Sequence, residues 1–194
     1  EQMDFHLSKE HEMIRKMYRE FAETEVKPLA EEIDETERFP METVEKMAKL
    51  GFMGIYFPKK YGGAGGDVLS YAMCVEELSK VCGTTGVILS AHTSLCCAPI
   101  YENGTEEQKM KYLTWVSEGA TCAMDLTEPD AGSDLGAVML KATWSEERQT
   151  WLLNGVKRFI TNGDGDVSLV LARTEEGTTD ARGLSMLVYD KRNG

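Results

Sequence analysis

Positive charge is scarce in this chain. Lys and Arg number 21 against 33 Asp and Glu, a net charge of −12 over 194 residues. Such a surface repels phosphate backbones and anionic lipid, which argues against a nucleic-acid or membrane partner. An anionic ligand would need a local, built site. Long apolar runs are missing too. None reaches the length that spans a bilayer, and the first residues do not read as a signal peptide. Cysteine is sparse and odd in number. Cys74, Cys82, Cys96, Cys97 and Cys122 form neither a C-x-x-C pair nor a metal-ligand set. We expect reduced, small core residues in a cytoplasmic or mitochondrial-matrix protein.

The three histidines, His6, His11 and His92, are too scattered for a metal centre, and none is expected. His11-Glu12 lacks a second His four residues on. His92 falls in an apolar stretch, where a satisfied core histidine is the simpler reading than a pocket residue. Ser90 lies near it but lacks the flanking glycines of a nucleophile elbow. The glycines of residues 62–66 match neither G-x-G-x-x-G nor a phosphate loop ending in Gly-Lys-Ser/Thr, so that segment reads as a connector.

What is present is ordinary globular composition, 42% hydrophobic and 28% charged. The length suits one sizeable core or two small ones. The first part reads helical. In residues 8–33, Ile14, Met17, Phe21, Leu29 and Ile33 recur at helical spacing behind Ser8, a plausible N-cap. Pro28 predicts a kink or break. Pro40 can open a second helix carrying Val44, Met47 and Leu50, with Gly51 as its stop. Asp67 caps a helix running to about Cys82, with Leu69, Met73 and Leu78 on it. Thr84 or Thr85 opens a helix through Ile88, Leu89, Leu95 and Ile100. It is apolar nearly all round and is predicted to be buried and central. Thr105-Glu106-Glu107-Gln108 is a capping box for a helix with Met110, Leu113 and Trp115.

At Gly119 the pattern changes. Residues 120–126, 137–143, 150–153, 156–160, 167–173 and 184–190 are short and strand-like. Asn154-Gly155 is the strongest hairpin signal and predicts pairing of 150–153 with 156–160. The reading is α+β: an all-α region at 1–119, then an antiparallel β region at 120–194. The strands stop abruptly for a closed barrel or sandwich, so we expect part of a larger protein.

Two segments carry the chemistry. Leu126-Thr127-Glu128-Pro129-Asp130-Ala131-Gly132-Ser133-Asp134 and Phe159-Ile160-Thr161-Asn162-Gly163 each follow an apolar run and each bear hydroxyls and glycine. They can present N–H and O–H groups to one flat, polar ligand. By itself the first segment does not separate a simple Pro129–Gly132 turn from a site. Hydroxyl-bearing ends of two neighbouring strands could meet at one rim of a sheet.

These segments, with Lys60-Tyr61-Gly62-Gly63, Gly104-Thr105-Glu106-Glu107-Gln108-Lys109 and Leu153-Asn154-Gly155 in the same order and spacing, resemble the acyl-CoA dehydrogenase family over nearly the whole chain. The short-chain, butyryl-type branch looks nearest. The resemblance implies a helical domain and a β domain, with FAD between the β domain and a C-terminal four-helix bundle that has no counterpart here. It places residues 124–133 and 159–161 against FAD: Met124, Leu126, Thr127, Gly132, Ser133, Phe159, Ile160 and Thr161. Leu126 and Thr127 would bond the polar edge of the ring, Phe159 would pack on it, and Thr161 would reach its hydride-accepting side. Ser133 would also meet the pantetheine of an acyl-CoA, and the helix bearing Ser90 and Leu95 would wall the acyl pocket.

The implied activity is oxidation of a short acyl-CoA to the trans-2-enoyl-CoA, by α-proton abstraction and β-hydride transfer to flavin. Electrons would pass to an electron-transferring flavoprotein, and the full-length protein would be a homo-oligomer, a tetramer in this family. Donors aimed at the developing thioester charge are worth about 3 to 4 kcal/mol each. The family's catalytic base is a glutamate of the bundle, so no catalytic residue is assigned and the 194 residues alone are expected to be inactive. Phe159 stands where Trp is frequent, Asp130 where glycine is usual, and Asp125 adds a charge beside the site. A non-catalytic binding or assembly module on the same fold, and an acyl-CoA oxidase relative, are the rival readings.

Overall fold

Residues 6–193 are described by the structure, a computed structural model. The first five residues of the helical region and Gly194 lie outside it. The chain divides into two compact units, Glu1–Ala120 and Thr121–Gly194. Among the described residues no helix is long and apolar enough to cross a membrane.

The first unit is helical. Helix α1 (Lys9–Phe21) starts where the sequence places it: the Ser8 side chain accepts from the His11 N–H, and Glu10 and Glu12 face the positive end of the helix dipole. Tyr18 and Phe21 then pack edge-on against Phe52, with ring centroids 5.0 and 5.1 Å away. The break expected at Pro28 falls earlier, as a π-helical turn at Ala22–Val26. Pro28 itself sits in the first turn of α2 (Lys27–Thr36), where its missing N–H costs little. Helix α3 (Met41–Lys49) follows Pro40, and Gly51 reverses the chain with φ of +77°. Asp67 caps α4 (Val68–Ser79) by accepting from the Ser70 N–H.

Helix α5 (Gly83–Ser90), a π-helical stretch at Ala91–Cys97 and α6 (Ala98–Asn103) make one continuous run. Pro99 has no N–H to give the Leu95 carbonyl, and the wider π register absorbs that loss. Ile88, Leu89, His92, Cys96, Cys97 and Ile100 are buried as expected, whereas Val87 and Leu95 are exposed. The Thr105 capping box forms in full at α7 (Glu106–Gln108), followed by a π turn at Lys109–Leu113 and α8 (Thr114–Ser117). All five cysteines are buried thiols outside any disulfide.

The second unit is a five-stranded sheet in the order β1-β4-β2-β3, with β5 on the other edge of β4. Its strands are β1 (Cys122–Asp125), β2 (Lys141–Ser145), β3 (Thr150–Asn154), β4 (Val167–Arg173) and β5 (Leu184–Asp190). The sheet is mixed rather than purely antiparallel: β4 runs parallel to β1 and β2 and antiparallel to β5. Leu140, Ala142, Val170 and Ala172 form its core, with Leu187 against them.

The Asn154-Gly155 hairpin is not formed, which corrects the sequence reading. The hairpin lies one strand earlier, β2 on β3, with Trp144 opposite Trp151 and their rings 5.6 Å apart. Gly155 is instead a close-approach residue. Its φ is +152°, and a Cβ there would lie 2.8 Å from the Leu140 Cα. The expected strand at 156–160 is irregular chain. Likewise the strand expected from 137 begins only at Lys141, because the N–H groups of Met139 and Leu140 are given to the Glu128 carboxylate rather than to a neighbouring strand.

Candidate functional site

The site grows from the end of β1. Beyond Asp125 the chain passes Leu126 and Thr127 and turns tightly. The Glu128 N–H donates to the Ala131 carbonyl at 2.8 Å and the Ala131 N–H returns a bond at 3.3 Å. Pro129 and Asp130 sit exposed at the tip. Gly132 then backs onto Thr127, since a Cβ on it would come 3.7 Å from the Thr127 methyl. Ser133 and Asp134 are exposed.

Residues 157–162 lie along β1, and they do so without forming a strand. The Arg158 N–H donates to the Thr127 carbonyl at 2.9 Å, and the Asn162 side-chain amide donates to the Cys122 carbonyl at 3.1 Å. The two anchors run in opposite senses along the two segments, so the segments are antiparallel neighbours. Phe159, Ile160 and Thr161 span the interval between them. Phe159 is held at φ of +61° and Asn162 at +58°, a region that a bulky residue rarely occupies. The Phe159 ring is turned outward, 79% exposed, with the Arg158 guanidinium 5.0 Å from its centroid. Strain of this kind gathers at ligand sites. Among the described residues no protein group bonds the Thr127 or Thr161 hydroxyl.

Behind Thr127 lies a buried charge cluster. Lys157, with 7% of its side chain exposed, donates to the Leu126 carbonyl and to Glu128 Oε1, both at 2.9 Å. Burial works against the ionised form of Glu128. The N–H groups of Met139 and Leu140 and the Lys157 ammonium outweigh it and hold the carboxyl below its ordinary range. Asp125 is shifted the other way. Burial raises its pKa against the pull of Ser168 and Lys157, and one of its oxygens is buried without a partner.

The chain therefore gathers Leu126, Thr127, Gly132 and the 159–161 stretch about one edge, with Met124 half-buried on β1 leading to it. Ser90 and Leu95 belong to the helical unit. Ser90 ends α5, its hydroxyl 3.4 Å from that of Tyr71, and Leu95 is exposed on the π-helical stretch. His92 is fully buried there. Its Nε2–H donates to the Met53 carbonyl at 3.1 Å, while Nδ1 has no partner. Burial lowers its pKa to about 4 against that carbonyl, so it is neutral at physiological pH.

A cavity of about 650 Å³ opens elsewhere on the sheet, among Met139, Lys141, Trp144, Trp151, Arg173 and Glu175. It marks where β2 parts from β4, which it meets only at Lys141 and Arg173. It contains none of the residues of the Thr127 edge. The sequence pattern does not reveal Lys157, nor that Asn162 of the second segment serves as its anchor. Lys157 pairs with an acid 29 positions earlier, a spacing that no local pattern encodes.

The model of the acyl-CoA dehydrogenase N-terminal domain matches residues 8–120, and that of the middle domain matches residues 123–194. The chain belongs to the acyl-CoA dehydrogenase family. A short-chain specific acyl-CoA dehydrogenase of Clostridium acetobutylicum is 58% identical over 191 residues, 97% of this chain and 50% of that protein. A structure described as the electron transferring flavoprotein of Acidaminococcus fermentans superposes with a TM-score of 0.92 at 46% identity, covering 97% of this chain and 50% of that one. A glutaryl-CoA dehydrogenase of Mycobacterium smegmatis, solved in complex with FADH2, superposes with a TM-score of 0.84 at 31% identity, over 95% of this chain and 46% of that one. The chain spans about half the length of the acyl-CoA dehydrogenase relatives it matches.

Proposed function

We propose that the chain supplies the helical and middle portions of an FAD-dependent acyl-CoA dehydrogenase acting on a short acyl-CoA. The observation that carries this is the docking of residues 157–162 along β1. It brings the Thr127 and Thr161 segments side by side, leaves both hydroxyls unspent among the described residues and turns the Phe159 ring outward. Those features fit a flat heteroaromatic with a polar edge. Leu126 and Thr127 take the polar edge, Phe159 and Ile160 offer apolar surface, and Gly132 and Ser133 leave room and a hydroxyl for phosphate or pantetheine. Ser133, Ser90 and Leu95 are the substrate contacts in this reading.

Bound FAD would supply the acceptor for the hydride that leaves the acyl β-carbon. The protein's part is to orient the ring, exclude water and place donors at the developing charge. The family's base is a glutamate of its C-terminal bundle, and no catalytic residue is assigned among the 194. The electron acceptor is an electron-transferring flavoprotein, in keeping with the description of the Acidaminococcus fermentans structure. The working protein is a homo-oligomer, and the 194 residues alone do not turn over.

The deciding experiment is anaerobic addition of butyryl-CoA to the complete, FAD-loaded protein. Loss of the oxidised flavin absorbance is the expected result. A protein that takes up no FAD, or holds it unreduced with short, medium and branched acyl-CoA alike, would overturn the reading.

A further inference from the structure

The carbonyls at the end of β1 have unusual partners. Thr127 gives its carbonyl to the Arg158 N–H, as a neighbouring strand would arrange it. Leu126 gives its carbonyl to a side-chain ammonium, that of Lys157. A lysine is seldom buried, and only where its charge is matched. Here it is matched by Glu128, whose two oxygens also take the N–H groups of Met139 and Leu140. Lys157 thus ties three pieces of chain together: the Leu126–Thr127 edge, the entry to β2, and the stretch that leads within two residues to strained Phe159.

We propose that Lys157 is a positioning residue for the flavin. Resting on the FAD reading above, its bond to the Leu126 carbonyl fixes the peptide planes on either side of Leu126, and so aims the Leu126–Thr127 edge at the ring. Glu128 holds the ammonium from behind, and Asp125 adds a second acid nearby. Without the ammonium, the Leu126 carbonyl loses its hydrogen-bond donor and its peptide rotates in search of another. The edge then loses register with Phe159 and Thr161, although none of the three is altered.

The test uses Lys157→Met and Lys157→Arg in the complete protein, read by FAD titration and by the shape and position of the flavin's visible absorption bands. Loss of one charge-assisted hydrogen bond predicts FAD binding weakened about tenfold or more in Lys157→Met, with shifted bands. Lys157→Arg keeps charge and donors and should recover most of both. If methionine costs the fold, Lys157→Gln decides: weaker FAD binding with shifted bands in the folded variant supports the proposal. A folded neutral variant with native affinity and native bands overturns it, as does an arginine variant that folds but recovers nothing. Wild-type protein that binds no FAD overturns this proposal and the functional reading together; normal wild-type binding with an indifferent neutral variant overturns this one alone.

Discussion

Glu77 and Asp125 show two opposite outcomes for a carboxylate taken out of water. Glu77 is 1% exposed yet receives Arg15, Arg19 and Lys80. The Arg19 bond leads in lowering its pKa to about 2, with Arg15 and Lys80 adding to it and burial opposing. A depressed folded pKa contributes stability that is fully present above the unfolded value near 4.5 and is lost as pH falls toward 2. The three cations are partly exposed and can rehydrate, so Glu77→Gln should cost about 2 kcal/mol at pH 7 rather than the full cost of a broken buried pair. Thermal melts should show that gap closing between pH 4.5 and 2; a constant gap would refute the assignment. Asp125 has the reverse sign. Its pKa is raised, chiefly by burial, so its contribution is best below the unfolded value of 3.8 and declines as pH rises through the folded one. Asp125→Asn should therefore melt higher than wild type at pH 7, with the advantage fading in acid. A lower melting temperature at pH 7 would show that Lys157 needs Asp125 as well as Glu128. Thr161→Ala, at an exposed hydroxyl with no protein partner among the described residues, should leave the melt unchanged and slow flavin reduction about tenfold, the worth of roughly one hydrogen bond.

At the scale of elements, local signals were readable where they acted locally. Ser8, Asp67 and Thr105 cap as their spacing predicts, because a cap needs only its own next three residues. β4 and β5 match their sequence ranges because both are continuous β-prone runs, and β4 is buried along nearly its whole length. The 156–160 run fails for a tertiary reason. Its β-like composition is overridden by Gly155 pressing on Leu140 and by Lys157 reaching Leu126 and Glu128, none of which is near in sequence. The π turns are equally illegible, since their residues follow the same apolar spacing as α-helix. The candidate site was half-legible: its hydroxyls and glycines stand in the sequence, but the anchors that bring them together do not. Gly155→Ala should test this directly. The added methyl meets Leu140 backbone as well as side chain, and the φ of +152° strains any L-residue, so a loss of about 3 kcal/mol is expected. Circular dichroism melts would measure it, and a neutral result would show that residues 155–158 can lift from Leu140.

At the scale of the whole molecule, two features pull against each other. A net charge of −12 keeps copies apart in solution. Yet β3 is an edge strand exposed at all five positions, carrying Trp151, Leu152 and Leu153 with no charge among them, and exposed Val156 and Phe159 follow it. An unguarded apolar edge is a template for pairing. Repulsion between exposed charges is screened within about 8 Å at physiological ionic strength, whereas apolar burial is not screened by salt. The 194-residue chain should therefore sediment as a monomer in dilute salt and self-associate as salt and protein concentration rise. Leu152→Lys, which places a charge on that edge without touching the core, should restore the monomer at equal salt. If the wild-type chain stays monomeric at high salt and high concentration, or if Leu152→Lys associates as strongly as wild type, the edge of β3 is not the adhesive surface.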